Sequence, residues 1–327
     1  MDARKLTLLK TRYDHHFSAS TIAEFEHVFT YYFPCKEKLQ QPLRKSLKQI
    51  YRLSDQSKVL QKIIDALFSF ISFESNYFLT LMGIEQIRKS YPYFLFRARS
   101  KSIYLFDCWE NKFEKTEEAI KRHGIQTIFF SAKQPADDFQ KKFPEKTCVW
   151  LPEAVYIHKY KSLPFDKKTI DVIQIGRKHD EYHEKIAPFC DKNDLKYVFE
   201  KVKGKVIFPD EKDFCNALAQ SKISICFPSN ITHPERSGNV STMTVRYLQS
   251  MASKCLIIGS MPEDMKFLFD YSPIIEADIQ DPGRQLKEIL EGYSNYLPLI
   301  ERNYEEVRSK HQWMNRMEIF KKHMSIA

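Results

Sequence analysis

Residues 221–260 read SKISICFPSNITHPERSGNVSTMTVRYLQSMASKCLIIGS. Ile223 to Phe227 is a short apolar run stopped by Pro228, the mark of a buried strand. A polar loop carrying Pro228, Pro234 and Gly238 follows. From about Val240 to Ser253 the apolar residues recur at helical spacing, and Cys255 to Ile258 reads as a second buried strand. A strand, loop, helix and strand in this order build a parallel sheet. In such sheets ligands collect beyond the carboxyl ends of the strands, where a loop feeds a helix. Here Ser237, Gly238, Asn239, Ser241, Thr242 and Thr244 gather where the unpaired N–H groups of a helix start would meet an anion. Arg246 adds a cation in the first turn, so the segment predicts a phosphate-binding helix start.

Working outward, Ile170 to Ile175 is a β-branched strand suited to the middle of a sheet, and it ends in Gly176-Arg177-Lys178. A helix over about Glu181 to Phe189, a strand at Leu195 to Phe199 and a helix at Glu211 to Gln220 lead into the opening stretch. After it come a helix at Glu263 to Phe269, a strand at Pro273 to Glu276, helices at Pro282 to Tyr293 and Leu297 to Ser309, and a last helix from about Trp313 to His323. The amino-terminal half alternates in the same way. Its signals are a short strand at Lys5 to Lys10, a helix at Thr21 to Phe33, strand and helix pieces over Ile63 to Met82, and a strand at Ser102 to Phe106. A helix at Lys115 to His123, a strand at Gln126 to Phe130, a short helix at Pro135 to Phe143 and a strand at Cys148 to Leu151 complete it. The pattern predicts an α/β protein of two Rossmann-like domains, residues 1–160 and 161–327.

At 327 residues, with 43% hydrophobic and 14% aromatic content, each domain can bury a core, and a disordered or fibrous chain is excluded. No apolar run reaches the roughly 18 residues of a membrane span, and the start lacks a signal-peptide pattern. Seven cysteines, odd in number and without metal spacing, point to reduced thiols and a cytoplasmic setting. The net charge of +9 favours anionic partners without choosing among them. Its densest region is Lys36 to Lys62, where lysines and arginines interleave with Leu39, Leu43, Leu47 and Ile50. That stretch fits a helix at the inner face of an anionic membrane, or a core helix with a solvated basic face.

The segment from Arg246 through Tyr-Leu-Gln-Ser-Met-Ala-Ser-Lys-Cys-Leu-Ile-Ile to Gly259 resembles the donor-site helix and following strand of GT-B glycosyltransferases, in particular the group-1, spore-maturation-type (CgeB-like) subgroup. Ile274 to Pro282, the helix after Gly283, and His311-Gln-Trp313-Met-Asn-Arg316 resemble that family's closing segments in the same order. Pro152-Glu-Ala-Val155 resembles its link out of the first domain. The resemblance implies two Rossmann-like domains whose parallel sheets face a cleft, with a nucleotide sugar on the second, a glycan or lipid-linked acceptor on the first, and a last helix packing back on the first domain. It implies transfer of a glycosyl group to a hydroxyl without a metal or other cofactor, with Gly176 and Arg177 beside the donor diphosphate. Where better-known members carry a pair of glutamates, this chain has Ser241 and Gln249, which leaves a non-catalytic binding subunit as the alternative.

On the donor side, Arg246, Arg177 and the helix dipole would offset charge developing on a departing nucleoside diphosphate. Glu235 would reach a sugar or ribose hydroxyl. Candidates for a base are Asp107, at the carboxyl end of a strand, and Asp14, His15 and His16, since an imidazole near neutrality suits proton transfer. Trp109 would offer a ring for stacking a sugar. His179 and His183 have the one-turn spacing of a zinc helix, but Asp180 stands where the zincin pattern needs glutamate. Neither an Asp-x-Asp triplet nor a P-loop or full Gly-x-Gly-x-x-Gly motif is present. Nucleic acid binding rests on charge alone and is not expected.

Overall fold

The computed structural model describes residues 6–10, 20–39, 57–69, 72–90, 97–201, 207–208 and 210–324. The chain divides into two compact units, residues 1–151 with 317–327, and residues 152–316.

Unit 1 runs β1 (Leu6–Lys10), α1 (Ser20–Tyr32), β2 (Lys36–Leu39), α2 (Lys58–Ser69), β3 (Ser72–Gly83), β4 (Arg97–Asp107), α3 (Phe113–His123), β5 (Thr127–Phe130), α4 (Lys133–Lys142) and β6 (Thr147–Trp150). Its sheet has the order β2-β1-β3-β4-β5-β6, with every pairing parallel. The inner strands read as continuous apolar runs because helices cover both faces. Leu79, Leu81, Ile103, Leu105 and Ile128 are all fully buried. On α1, Phe25 and Phe29 stand one turn apart and pack on Phe78. The same cluster receives Phe320, whose ring lies 4.8 Å from those of Phe29 and Phe78 and 4.7 Å from that of Phe129.

Unit 2 runs β7 (Ile170–Gln174), α5 (Asp180–Lys192), β8 (Tyr197–Phe199), α6 (Glu211–Ala219), β9 (Ser221–Cys226), the single turns α7 (Ser229–Thr232) and α8 (Pro234–Ser237), and α9 (Val245–Ala252). After them come β10 (Leu256–Gly259), a 3-10 turn (Glu263–Phe267), β11 (Ile275–Glu276), α10 (Pro282–Glu291), α11 (Leu297–Lys310) and α12 (Trp313–Met324). The α12 residues from Met317 onward belong to unit 1. The parallel order β11-β10-β9-β7-β8 reverses direction between β7 and β9. Such a reversal opens a crevice beyond the carboxyl ends of the two strands, the ligand position of doubly wound sheets. Lys168 staples the opposite edge, its ammonium donating to the carbonyls of Ala219 (3.1 Å), Ser221 (2.8 Å) and Ser253 (3.1 Å).

Two expectations change. Lys36 to Lys62 is not one helix. Lys36–Leu39 is the edge strand β2, whose alternating charges suit an edge that must not recruit another strand, and Lys10 pairs with Glu37 at 2.5 Å. Residues 40–56 lie outside the described residues, and helix begins again at α2. The helix expected from about Val240 starts at Val245, because Asp264 holds the preceding segment extended. Its carboxylate accepts from the Met243 N–H (2.7 Å) and the Thr242 hydroxyl (2.5 Å).

Candidate functional site

A cavity of about 220 Å³ occupies the crevice between β7 and β9. Ile175, Gly176 and Arg177 wall it from the end of β7, Ile225, Cys226 and Phe227 from the end of β9, and Thr244 to Tyr247 from the start of α9. Gly176 sits at φ +86°, a conformation that a side chain would strain, and a Cβ there would point at the Arg246 guanidinium, 3.7 Å away. The β10 end approaches β9 so closely that a methyl on Gly259 would stand 1.7 Å from the Cys226 carbonyl oxygen. The Tyr247 hydroxyl bridges the same two strand ends, lying 3.2 Å from the Cys226 carbonyl and 2.8 Å from that of Ser260. These contacts fix the cavity floor.

Arg246 is the unusual residue. Its guanidinium lies over the Phe214 ring at 5.2 Å, and its Nη1 is buried with no hydrogen-bond partner among the described residues. Burial pushes its pKa down, and the like charge of Arg177 adds to the effect. A buried guanidinium donor without an acceptor costs free energy that a bound anion would recover. At the head of α9, Thr244 is the N-cap residue yet makes no side-chain cap bond. The Val245 N–H is instead taken by the Glu153 carboxylate at 3.0 Å. Cys226 is buried at the cavity wall, and burial raises its thiol to about 11, which leaves it a neutral wall group at physiological pH.

The structure brings Gly176, Arg177, Thr244 and Arg246 together around this cavity. It does not bring the other donor-side candidates to its wall. Glu235 lies exposed on α8. The Ser241 hydroxyl accepts from the Glu263 N–H at 3.1 Å, and Thr242 is committed to Asp264. Gln249 is 3% exposed and donates to the Tyr160 hydroxyl at 2.9 Å. On unit 1, Asp107 ends β4 in register with Gly83 and is half-buried. Trp109, expected as an open stacking face, is 3% exposed, so its ring is part of the interior. Asp14, His15 and His16 lie outside the described residues.

His179 is the N-cap of α5, its Nδ1 accepting from the Tyr182 N–H at 3.3 Å, while the His183 Nδ1 lies 3.0 Å from the Tyr197 hydroxyl. Among the described residues no group of three or more His, Cys, Asp or Glu is placed to hold a metal ion. Sequence reading missed Glu153 and Asp264. Each acts across a long chain separation, and the only local sign was Pro-Glu at 152–153 and 262–263, each just after a strand end.

No family model matches the chain, and no curated protein does. Solved structures do. The chain is similar to HepE from Anabaena in complex with UDP and glucose, at 9% identity and a TM-score of 0.61 over 98% of this chain and 99% of that one. It is similar to sucrose-phosphate synthase from Thermosynechococcus elongatus (8% identity, TM-score 0.56, 98% of each chain). It is also similar to a glycosyltransferase from Rickettsia africae (10% identity, TM-score 0.51, 99% of each chain). Two wholly parallel, doubly wound sheets in one chain, matched nearly end to end by these enzymes, give this protein the GT-B fold.

Proposed function

We propose that this chain is a glycosyltransferase that moves a sugar, of hexose type, from a nucleotide-sugar donor to a hydroxyl of a glycan or lipid-linked acceptor, in polysaccharide biosynthesis. The donor diphosphate lies against Arg246, Arg177 and the start of α9. In the reaction the bond from the anomeric carbon to the diphosphate oxygen breaks, a bond from that carbon to the acceptor oxygen forms, and a base takes the acceptor proton. The leaving diphosphate gains negative charge, and two fixed cations with a helix dipole stabilise that charge without a metal ion. Unit 1 binds the acceptor, with Asp107 or the Asp14-His15-His16 segment as base. The spore-maturation-type resemblance, group 1 of these enzymes, belongs to the same reading.

One observation carries the proposal: a half-buried arginine whose Nη1 is buried and unsatisfied in the switch-point cavity of a nucleotide-sugar enzyme fold. Thermal-shift and turnover assays with UDP-, GDP-, ADP- and dTDP-sugars test it. A donor that raises the melting temperature is expected to be turned over, and Arg246→Ala to lower kcat/KM by about 100-fold or more. Binding and turnover that survive Arg246→Ala would reject this site.

A second reading, a non-catalytic nucleotide- or glycan-binding subunit, is favoured by the internal hydrogen bonds of Ser241 and Gln249. It predicts saturable nucleotide binding without turnover over a broad acceptor panel.

We further infer contact with an anionic membrane from the inner side. On α2, Val59, Leu60, Ile63 and Leu67 share one arc and are 68%, 41%, 50% and 64% exposed, with Lys58 and Lys62 beside them. Among the described residues no helix is long and apolar enough to cross a membrane. Sedimentation with phosphatidylglycerol vesicles is expected for the parent and lost in Ile63→Glu/Leu67→Glu. Equal sedimentation of the two would remove this inference.

A further inference from the structure

A second basic cavity lies along α6, within unit 2. Its space of about 250 Å³ is walled by Lys159 and Lys161, on the segment that leads to β7, and by Glu211, Lys212, Cys215 and Asn216, on the first two turns of α6. The four helix positions fall on one face because side chains four apart stand one above the other. Phe214, Ala217 and Leu218 of the same helix turn into the core.

Three ammonium groups meet one carboxylate here. Glu211 is spent on Lys159, whose Nζ lies 3.0 Å from each carboxylate oxygen. Lys161 and Lys212 are exposed and make no hydrogen bond or ion pair among the described residues. Of the other acids on this turn, Asp210 accepts the Asp213 N–H at 2.7 Å, and neither Asp210 nor Asp213 lines the space. Like charges brought together in a concave wall without a counter-charge raise the local potential and attract an oxyanion. Apart from the Cys215 thiol the wall holds no apolar residue, so a hydrated ligand fits it and a lipid surface does not.

The same helix touches the wall of the donor cavity, since Phe214, one residue before Cys215, carries the ring over which the Arg246 guanidinium lies. We propose that the lysine-walled cavity is an oxyanion site for an anionic glycan, holding a phosphate or carboxylate group of the acceptor remote from its reacting hydroxyl. The acceptor role rests on the glycosyltransferase reading above; the binding does not. Lysines suit such a ligand, because an ammonium on a flexible stem follows a chain of charges as a point charge and demands no fixed fork geometry.

The test uses the full chain, titrated calorimetrically at low salt with tetragalacturonate, a glycerol phosphate tetramer and uncharged maltotetraose. Alkylation of Cys215 by iodoacetamide, read by peptide mass spectrometry, reports occupancy of the cavity itself. A charged tetramer is expected to bind and to slow that alkylation, and which of the two does so identifies the oxyanion as carboxylate or phosphate. Its affinity should fall roughly tenfold in Lys161→Ala/Lys212→Ala, fall with rising salt, and return in Lys161→Arg/Lys212→Arg, while UDP affinity keeps its parent value in both variants. Charged-tetramer binding that is absent, unchanged by the alanine pair, matched by maltotetraose or without effect on Cys215 would overturn the proposal. Phosphatidylglycerol-vesicle sedimentation lost in the alanine pair, with no tetramer bound by the parent, would assign the lysines to a lipid surface and overturn it equally. Lysine-dependent tetramer binding in a protein that turns over no nucleotide sugar would uphold the oxyanion site and reject the glycosyltransferase reading. Arg246-dependent turnover with no lysine-dependent tetramer binding would do the reverse.

Discussion

Arg246 sets an opposition between function and stability at the scale of one side chain. A guanidinium over an aromatic ring, with Nη1 buried and unpaired, is poor for folding and good for holding an anion. Arg246→Met should therefore abolish diphosphate binding and at the same time raise the unfolding free energy by about 1 kcal/mol, read as a higher denaturant midpoint. A lower midpoint would show that the guanidinium is already satisfied in the empty protein. The arginine itself was legible in the sequence, since a cation in the first turn after a hydroxyl-rich loop is a local pattern. Its lack of a partner was not, because that depends on Phe214, Gly176 and Arg177 arriving from distant segments.

At the scale of the element, α9 shows how a tertiary contact moves a helix boundary. Apolar spacing placed its start near Val240, yet Asp264 draws Thr242 and Met243 out of helical conformation and leaves Thr244 as N-cap. Asp264 is 4% exposed, so removing its carboxylate leaves a buried N–H and a buried hydroxyl unsatisfied. Asp264→Ala is expected to cost about 2–4 kcal/mol and to weaken UDP binding, since the cavity wall at Thr244 would shift. Chemical denaturation with a parallel UDP titration checks both, and a variant with parent-like stability and affinity would refute the role. The edge strand β2 taught the complementary lesson. Its Lys-Glu-Lys-Leu pattern is charged enough to pass for a helix face, and only pairing with β1 identifies it as a strand.

For the whole molecule, each unit contains one deeply buried imidazole among the described residues. Burial pushes His123 and His311 down to about 3, with neighbouring cations acting the same way. Unfolding returns each to an ordinary value near about 6.5, so the unfolded chain binds protons that the folded chain refuses. Their contribution to stability is intact above about pH 6.5 and is lost as the pH falls toward about 3. Scanning calorimetry should find a melting temperature that is level near neutrality and drops steadily from pH 6.5 to 4. A temperature that holds or rises across that window would show that one or both histidines are protonated in the folded protein.

The sequence by itself determined the alternation of strands and helices, the two-part organisation, and the glycine, arginine and helix that meet at the crevice. These follow from periodicity and local turn chemistry, whose physical range is a few residues. Only the tertiary structure decided which of the candidate polar residues reach the cavity. Thr242 and Gln249 turn to Asp264 and Tyr160 because buried polar groups must find partners wherever the packed chain supplies them, and the half-buried Ser241 turns to the Glu263 amide. For the same reason the carboxylate that now sits at the head of α9 comes from Glu153, 92 positions away, a distance over which no local pattern in the chain carries information.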